Sequence, residues 1–519
     1  MTTKGAPTRR NINESEFAFE YEVLSGISRL GWLAQVEKDN RVVKVVCGPW
    51  VETHEEFFVE GAWCGEFSKG RFDKSIGAYG SGGLLTPSSV IFASPTHTRE
   101  RIYSVKHKSR VYVSNSVVFL LHRSGEELDE KYNYYKEDLE TVELGIKDYE
   151  RRIPLKSGND LHLYCHCNME IDAKLGITET QKAAVEDEFV DYSSYKRFLE
   201  DSITSIFANA NDPKRKIKYE PVTTLSSGYD SACCSVLAKR CGCNEALTLV
   251  KGAVKTDSGT TIAQKLGLDI KEIDTREYLN SKRKFIEAEI FSAGFATQGT
   301  YILSLEEYLP ARLLITGYQG DIVWEKNHER VNSNIENGGG GSAWTEFRLR
   351  VGFIHFIVPH LGATKMPSIH RISNSSEMSR WSSGISNRDR PIPTRIVMEE
   401  GVPREIFGLS KDGSGVYPSR TMVARLRKLL RSNAIFNRIK KGFSGKTRAR
   451  LRKIEAVVTH NISLLLSRKR KTMEYDSYKD IMKEESLNDL FSLYQKSRRG
   501  TLSTFMFLWG VEKTKDNYS

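Results

Sequence analysis

The spacing of hydrophobic and polar positions changes partway along this chain. Through residue 150 it carries short apolar runs of the strand type: Val42-Val43-Lys44-Val45-Val46, Ser89-Val90-Ile91-Phe92-Ala93, Arg110-Val111-Tyr112-Val113 and Ser116-Val117-Val118-Phe119-Leu120. Glycine clusters such as Gly80-Ser81-Gly82-Gly83 punctuate them, and together they predict a β-rich α+β domain with antiparallel pairing. A charged stretch over 125–152 reads as a helical connector, and a strand pair is expected near 161–171. From Ser193 helices and strands alternate: a helix over 193–208, a strand over 221–225, a helix over 230–241, a strand over 246–250, a helix near 257–266, a strand over 269–273 and the buried run Arg312-Leu313-Leu314-Ile315-Thr316-Gly317. That order predicts an α/β domain, a parallel sheet with flanking helices. The expected domains are 1–175, 190–415 and a basic helical region over 416–519 that completes the second.

Composition narrows the class. Hydrophobic residues at 39% and charged residues at 28% of 519 exclude a disordered chain, and the length favours more than one core. The longest apolar candidate, over 351–363, is interrupted by His355, Pro359 and His360, so no membrane contact is expected. The start Met1-Thr2-Thr3-Lys4-Gly5 has no apolar signal region, which makes cytoplasmic residence the expectation. Eight cysteines in such a chain are not a disulfide framework. Cys165 and Cys167 flank His166 near His162, and Cys241 and Cys243 repeat the spacing, but neither is the Cys-x-x-Cys of zinc or redox sites. Cys233-Cys234 read as small packing residues on a helix.

Charge adds one feature. Residues 420–471 hold 17 Lys and Arg against the single acid Glu455, so this block carries +16 and the rest of the chain −5 of the net +11. It could contact tRNA or another polyanion. The favoured reading is a helical subdomain with solvated basic faces, because Met422, Leu426, Leu429, Leu430, Phe436, Ile439 and Phe443 roughly fit one apolar stripe and no aromatic interleaving suggests base stacking.

The candidate chemistry lies in two loops. Leu225-Ser226-Ser227-Gly228-Tyr229-Asp230-Ser231 follows a strand and opens a helix. Small residues let backbone N–H groups approach an anion, and the helix N-terminus adds positive potential where a phosphate would sit. Asp230 then suits the Mg²⁺ that accompanies ATP. Thr316-Gly317 followed by Gly320-Asp321 also comes just after a strand, so both loops could face one crevice at the carboxyl ends of the sheet.

The first loop resembles the Ser-Gly-Gly-x-Asp-Ser pyrophosphate loop of the ATP pyrophosphatases, and the wider layout resembles their asparagine synthetase branch. The resemblance implies an adenine nucleotide α hydrolase-like fold. It implies ATP binding by Leu225, Ser226, Ser227, Gly228, Asp230, Ser231, Thr316 and Gly317, with the backbone at Val250 meeting adenine and with Asp230 and Asp321 sharing Mg²⁺. Arg438-x-Lys440-x-x-Phe443-Ser444 resembles the downstream segment with an active-site lysine, which makes Lys440 the catalytic candidate and Lys411, in Phe407-Gly408-Leu409-Ser410-Lys411, the reserve. The implied activity is an AMP-forming carbon–nitrogen ligase that adenylates a small-molecule carboxylate and passes it to ammonia or an amine.

Three departures bear on that expectation. Ser227 stands in place of the family's second glycine, which puts a Cβ where backbone must approach phosphate. Tyr318 stands where asparagine synthetases have a glutamate, and a phenol does not simply replace a carboxylate. The β-rich domain resembles the family's amidotransferase domain in place and character only, since the chain begins Met1-Thr2 and its first cysteine is Cys47. It reads as a remnant that does not hydrolyse glutamine. Two other readings stay open: a relative that modifies a tRNA base, and a decayed ATP-binding scaffold. Gly442-Phe443-Ser444-Gly445-Lys446-Thr447 is too short for a Walker loop, 337–342 reads as a glycine loop, and Glu377, Trp381, Arg388 and Arg390-Pro391-Ile392-Pro393 could shape an acceptor pocket or only pack.

Overall fold

Apolar alternation in the first part of the chain is satisfied by two sheets that share one core. The computed structural model describes residues 16–132, 134–250, 257–294, 297–328, 330–336, 343–384, 389–408, 482–497 and 502–519. One sheet has seven strands in the order Ala18–Val23, Val42–Cys47, Trp32–Glu37, Arg110–Ser114, Ile102–His107, Asp160–Tyr164 and Arg152–Pro154, antiparallel except for the first pair. The other has six antiparallel strands, Ile177–Gln181, Cys167–Asp172, Ser89–Ala93, Ala78–Leu85, Phe57–Trp63 and Glu52–Thr53. Trp32, Val43, Val45 and Val113 of the first meet Phe58, Val90, Phe92 and Met169 of the second, the packing of a β-sandwich.

Here the structure departs from the sequence reading at several points. The run at Ser116 is a helix, Val117–Ser124: the Ser116 hydroxyl accepts from Phe119 N–H, Gly125 closes the helix at φ 72, and the apolar run is buried against the outer face of the seven-stranded sheet. A continuous apolar run carries no period that separates helix from strand. The glycine cluster lies inside the Ala78–Leu85 strand, where a Cβ on Gly80 or Gly82 would lie 1.9 and 2.1 Å from backbone oxygens of the neighbouring strand. Among its described residues the helical part of the stretch over 125–152 is the short helix Tyr135–Glu140 and the 3-10 turn Thr141–Leu144, and Tyr135, Leu139 and Val142 bury it as part of the core. The strand pair near 161–171 is a crossing between sheets, with His166 at the corner at φ 58. The sandwich continues to Gln181, past the expected boundary at 175.

The alternating region forms a five-stranded parallel sheet in the order Asp269–Asp274, Glu245–Val250, Glu220–Thr224, Arg312–Thr316 and Ile354–Ile357. Leu313 and Ile315 point into a core shared with the helices Tyr192–Ala210 and Tyr229–Arg240, while Leu314 between them joins a second core with Phe291, Phe347 and Trp509. That two-residue alternation is how a strand buries both faces of a covered sheet. Asp191 and Ser194 form a capping box that fixes the start of the Tyr192–Ala210 helix, where the chain leaves the sandwich.

The two halves are joined by buried charge. Arg348, on the helix Thr345–Val351, donates to both Glu60 oxygens at 2.6 and 3.1 Å and to Glu100 at 2.6 Å, and all three side chains are buried. The last helix, Leu502–Thr514, packs on Ala288–Phe291 of the sheet domain, and Tyr518 stacks on Phe119 of the sandwich at 4.6 Å. The chain end therefore belongs to both halves rather than to the sheet domain alone. Among the described residues no helix is long and apolar enough to cross a membrane. The basic block over 420–471 lies outside the described residues.

Candidate functional site

Glu220–Thr224 and Arg312–Thr316 pair in parallel, so the loops that follow them leave the sheet side by side at its carboxyl end. The first loop is closed by its own chain. Ser226 N–H donates to Ser231 Oγ at 3.1 Å, the two hydroxyls lie 2.9 Å apart, and Gly228 N–H donates to Ser226 Oγ at 3.2 Å. Gly228 caps the Tyr229–Arg240 helix with an extended backbone and no side-chain bond. Ser227 N–H donates to Asp257 O at 3.3 Å and its hydroxyl to Asp257 Oδ1 at 2.8 Å. Ser227 is not among the residues with positive φ, so the serine in the glycine position is accommodated without strain. Its N–H, however, faces Asp257 and not an open cradle. Leu225 N–H donates to Leu247 O, and the Val250 carbonyl that ends the next strand accepts from Thr275 N–H at 2.9 Å.

The second loop wraps Asp230. A Cβ on Gly317 would lie 2.6 Å from the Asp230 carbonyl carbon, and one on Gly320 would lie 2.5 Å from Asp230 Oδ1, so only glycine allows this approach. Thr316 shares a 2.9 Å hydrogen bond with His355, and Gln319, left-handed at φ 67, accepts from the His360 ring. Asp230 is buried and Asp321, one residue past Gly320, is exposed, so one carboxylate forms the floor and the other the rim.

An arginine that the sequence reading left as a pocket-shaping or packing residue completes this cluster. Arg390 Nη1 donates to Asp230 Oδ2 at 2.5 Å, and its Nε lies 3.7 Å from Glu325 Oε2. Burial works against the Arg390 charge, but Asp230, then Asp321 and Glu325, outweigh it and hold the guanidinium above its usual range. Burial pushes the Glu325 carboxyl up. Tyr229, between the loop and the helix, accepts from Arg404, and Gly408 N–H donates to Ser227 O at 2.7 Å, so the 404–408 segment lies against the first loop. Lys411, Arg388, the glycine loop over 337–342, Lys440 and the short glycine–lysine–threonine motif all lie outside the described residues.

The sandwich supplies the back wall. Arg99 lies over the Tyr318 ring at 4.5 Å, and the Tyr318 hydroxyl bonds to that of Tyr301. Burial lowers the Arg99 pKa, opposed in part by Tyr318, Tyr301 and Asp321. His97, His355 and His360 gather behind the loop, with His97 6.5 Å from His355 and 6.1 Å from His360 between ring centres. Burial first, and neighbouring cationic and imidazole groups second, push all three well below the usual histidine range. Arg99, Glu325 and Asp257 carried no local signal. Arg390 carried one, an arginine directly before the proline that starts the Pro391–Glu399 helix.

Asp230 and Asp321 fit a hard divalent cation whose other ligands are phosphate and water oxygens. Among the described residues no group of three or more His, Cys, Asp or Glu is set to hold a metal by itself, and all eight cysteines are free. Burial pushes the Cys165 thiol up to about 11, which fits an inert packing residue.

No protein-family model matches the chain, and no curated protein matches it. Among solved structures it is similar to glutamine phosphoribosylpyrophosphate amidotransferase from B. subtilis complexed with ADP and GMP, at 8% identity and a TM-score of 0.13, over 58% of this chain and 61% of that one. The chain thus spans about three fifths of that relative's length, and a likeness of this size bears on neither fold nor activity.

Proposed function

We propose that this chain is an asparagine synthetase-like, ATP-dependent amide-forming ligase with an adenine nucleotide α hydrolase-like sheet domain. The observation that supports it is the wrapping of Gly317 and Gly320 around Asp230, which puts two acidic loops of different strands at one carboxyl-end crevice. In that reading the Tyr229–Arg240 helix directs its N-terminal potential at the phosphates, and Ser226 and Ser231 orient them. Asp230 and Asp321 hold Mg²⁺, which when bound neutralises charge on the departing pyrophosphate. Half-buried Tyr318 and Tyr301, packed with buried Arg99, limit water behind the second loop, where hydrolysis of an activated acyl group would compete with amide formation. Lys440 or Lys411 remains the proposed lysine at the acyl-adenylate.

The test follows the phosphate products. Full-length protein is incubated with ATP, Mg²⁺ and pooled carboxylates and amines. AMP and pyrophosphate are expected, and ADP with phosphate would refute the assignment. Asp230→Ala is expected to lower turnover by about 10²–10³-fold, the usual loss when one preorganised electrostatic group is removed.

A further inference from the structure

Three carboxylates surround one guanidinium at this site. Arg390 bonds Asp230 at 2.5 Å, its Nε stops 3.7 Å short of Glu325 Oε2, and Asp321 acts on it from the rim. Arg390 and Asp230 are both buried, with side chains 8% and 7% exposed, so their contact is poorly screened by water. The second contact is unfinished. Arg390 Nε and Glu325 Oε2 are both buried without a hydrogen-bond partner, although a shift of about 0.8 Å would bring them to a normal bond length.

The backbone around Arg390 is fixed while its side chain has a choice. Asp389 N–H donates to Glu325 Oε1 at 3.1 Å, Asp389 in turn accepts from Ser383 N–H at 2.8 Å, and Pro391 starts a helix immediately after. The guanidinium thus lies within reach of two carboxylates from a held Cα, Asp230, which it bonds, and Glu325, which it nearly bonds. In the nucleotide-site reading a divalent cation would draw on the same Asp230 carboxylate that Arg390 now holds. Two cations on one buried carboxylate repel each other.

We infer that Arg390 holds Asp230 when no metal is bound there, and that when a divalent cation enters with the nucleotide it moves to Glu325 and leaves Asp230 to the metal. This rests on the nucleotide-site reading above and adds its regulation. The exchange keeps the buried carboxylate neutralised in both states, because an uncompensated buried charge is costly. It also makes the metal and the nucleotide arrive together, since bare metal must displace Arg390 unaided whereas nucleotide phosphates supply further ligands and a second attraction for the released guanidinium.

The probe is Mn²⁺, followed by paramagnetic resonance on the full chain with and without an ATP analogue that is not cleaved at the α-phosphate. Wild-type protein is expected to bind Mn²⁺ weakly alone and at least tenfold more tightly with the analogue. Arg390→Gln should bind bare Mn²⁺ at least tenfold more tightly than wild type, and Arg390→Lys should fall between them, which keeps the test valid if the glutamine variant folds poorly. Glu325→Gln, which removes the second resting place, should weaken Mn²⁺ binding severalfold both with and without the analogue. Unchanged or weaker bare Mn²⁺ binding in both Arg390 variants, with the analogue still bound, overturns the exchange but leaves the nucleotide site. Failure of wild-type protein to bind the analogue under any condition overturns the nucleotide reading itself.

Discussion

The two loops at the crevice are held in opposite ways. The Ser226 to Ser231 loop is tied by hydroxyls and N–H groups of its own turn and by Asp257, 30 residues on. The Thr316 to Asp321 loop takes its bonds from His355 and His360, and its tyrosine lies under Arg99, over 200 positions away on the sandwich. The first loop is shaped largely by its own turn, with ties to Asp257 and Gly408, while the second also touches the sandwich through Arg99. The β-rich half, read from sequence as a remnant, packs against the second loop through Arg99 whether or not it has chemistry of its own.

The largest loss is expected at Arg348, which joins the two halves. Its removal leaves Glu60 and Glu100 buried without their cation, and Arg348→Ala is expected to cost about 3–5 kcal/mol of stability. Chemical denaturation gives the total. Hydrogen exchange sharpens the contrast: amides of the second loop should open before those of the first. Equal opening of both loops would mean that the sandwich does not hold the second one.

Acid should act on the same side of the comparison, with a smaller effect. His97, His355 and His360 are buried and neutral behind the second loop, and burial takes His166 down to about 4. Between pH 6.5 and 5.5 the unfolded chain protonates these rings and the folded chain does not, so the unfolded state binds more protons and stability falls with pH. Each ring contributes about 1 kcal/mol over that unit. Glu346 opposes them: burial raises its pKa to about 7, so the folded chain holds its proton across this window and recovers about 1 kcal/mol. A net loss of stability on going from pH 6.5 to 5.5 is expected in urea titrations at the two pH values. His355→Phe should flatten the slope, and an unchanged slope would remove His355 from the account.

What the sequence made legible follows the same division. Every strand of the parallel sheet except Ile354–Ile357 was expected within a residue or so, because buried βαβ units declare themselves by apolar runs between helical periods. The first loop was legible for the same reason: Ser226, Gly228, Asp230 and Ser231 are neighbours in sequence and in space. Arg390 and Asp230 are separated by 160 positions, and nothing near either names the other. Ser116 to Leu120 failed differently, since five residues cannot show a helical period, and the decisive marks were the cap at Ser116 and the left-handed Gly125. The glycines over 80–83 looked like turn signals, yet they serve the close approach of strands, which only the pairing partner reveals.

The mildest change probes the first loop. Ser227 departs from the glycine of the resembling family, and a flexible residue there would be expected to improve phosphate binding if the serine were a defect. The geometry argues the reverse, because Ser227 has no positive φ to relieve and its hydroxyl ties the loop to Asp257 at 2.8 Å. Ser227→Gly removes that bond, worth about 1 kcal/mol, and adds about 0.5–1 kcal/mol of backbone entropy to the unfolded chain. A loss of about 1–2 kcal/mol in stability is expected, with nucleotide affinity unchanged or slightly weaker by calorimetry. Tighter nucleotide binding by the glycine variant would mean that the Asp257 contacts hold the Ser227 N–H away from the anion. The approach of the first loop to phosphate would then be set by Asp257 rather than by its own turn.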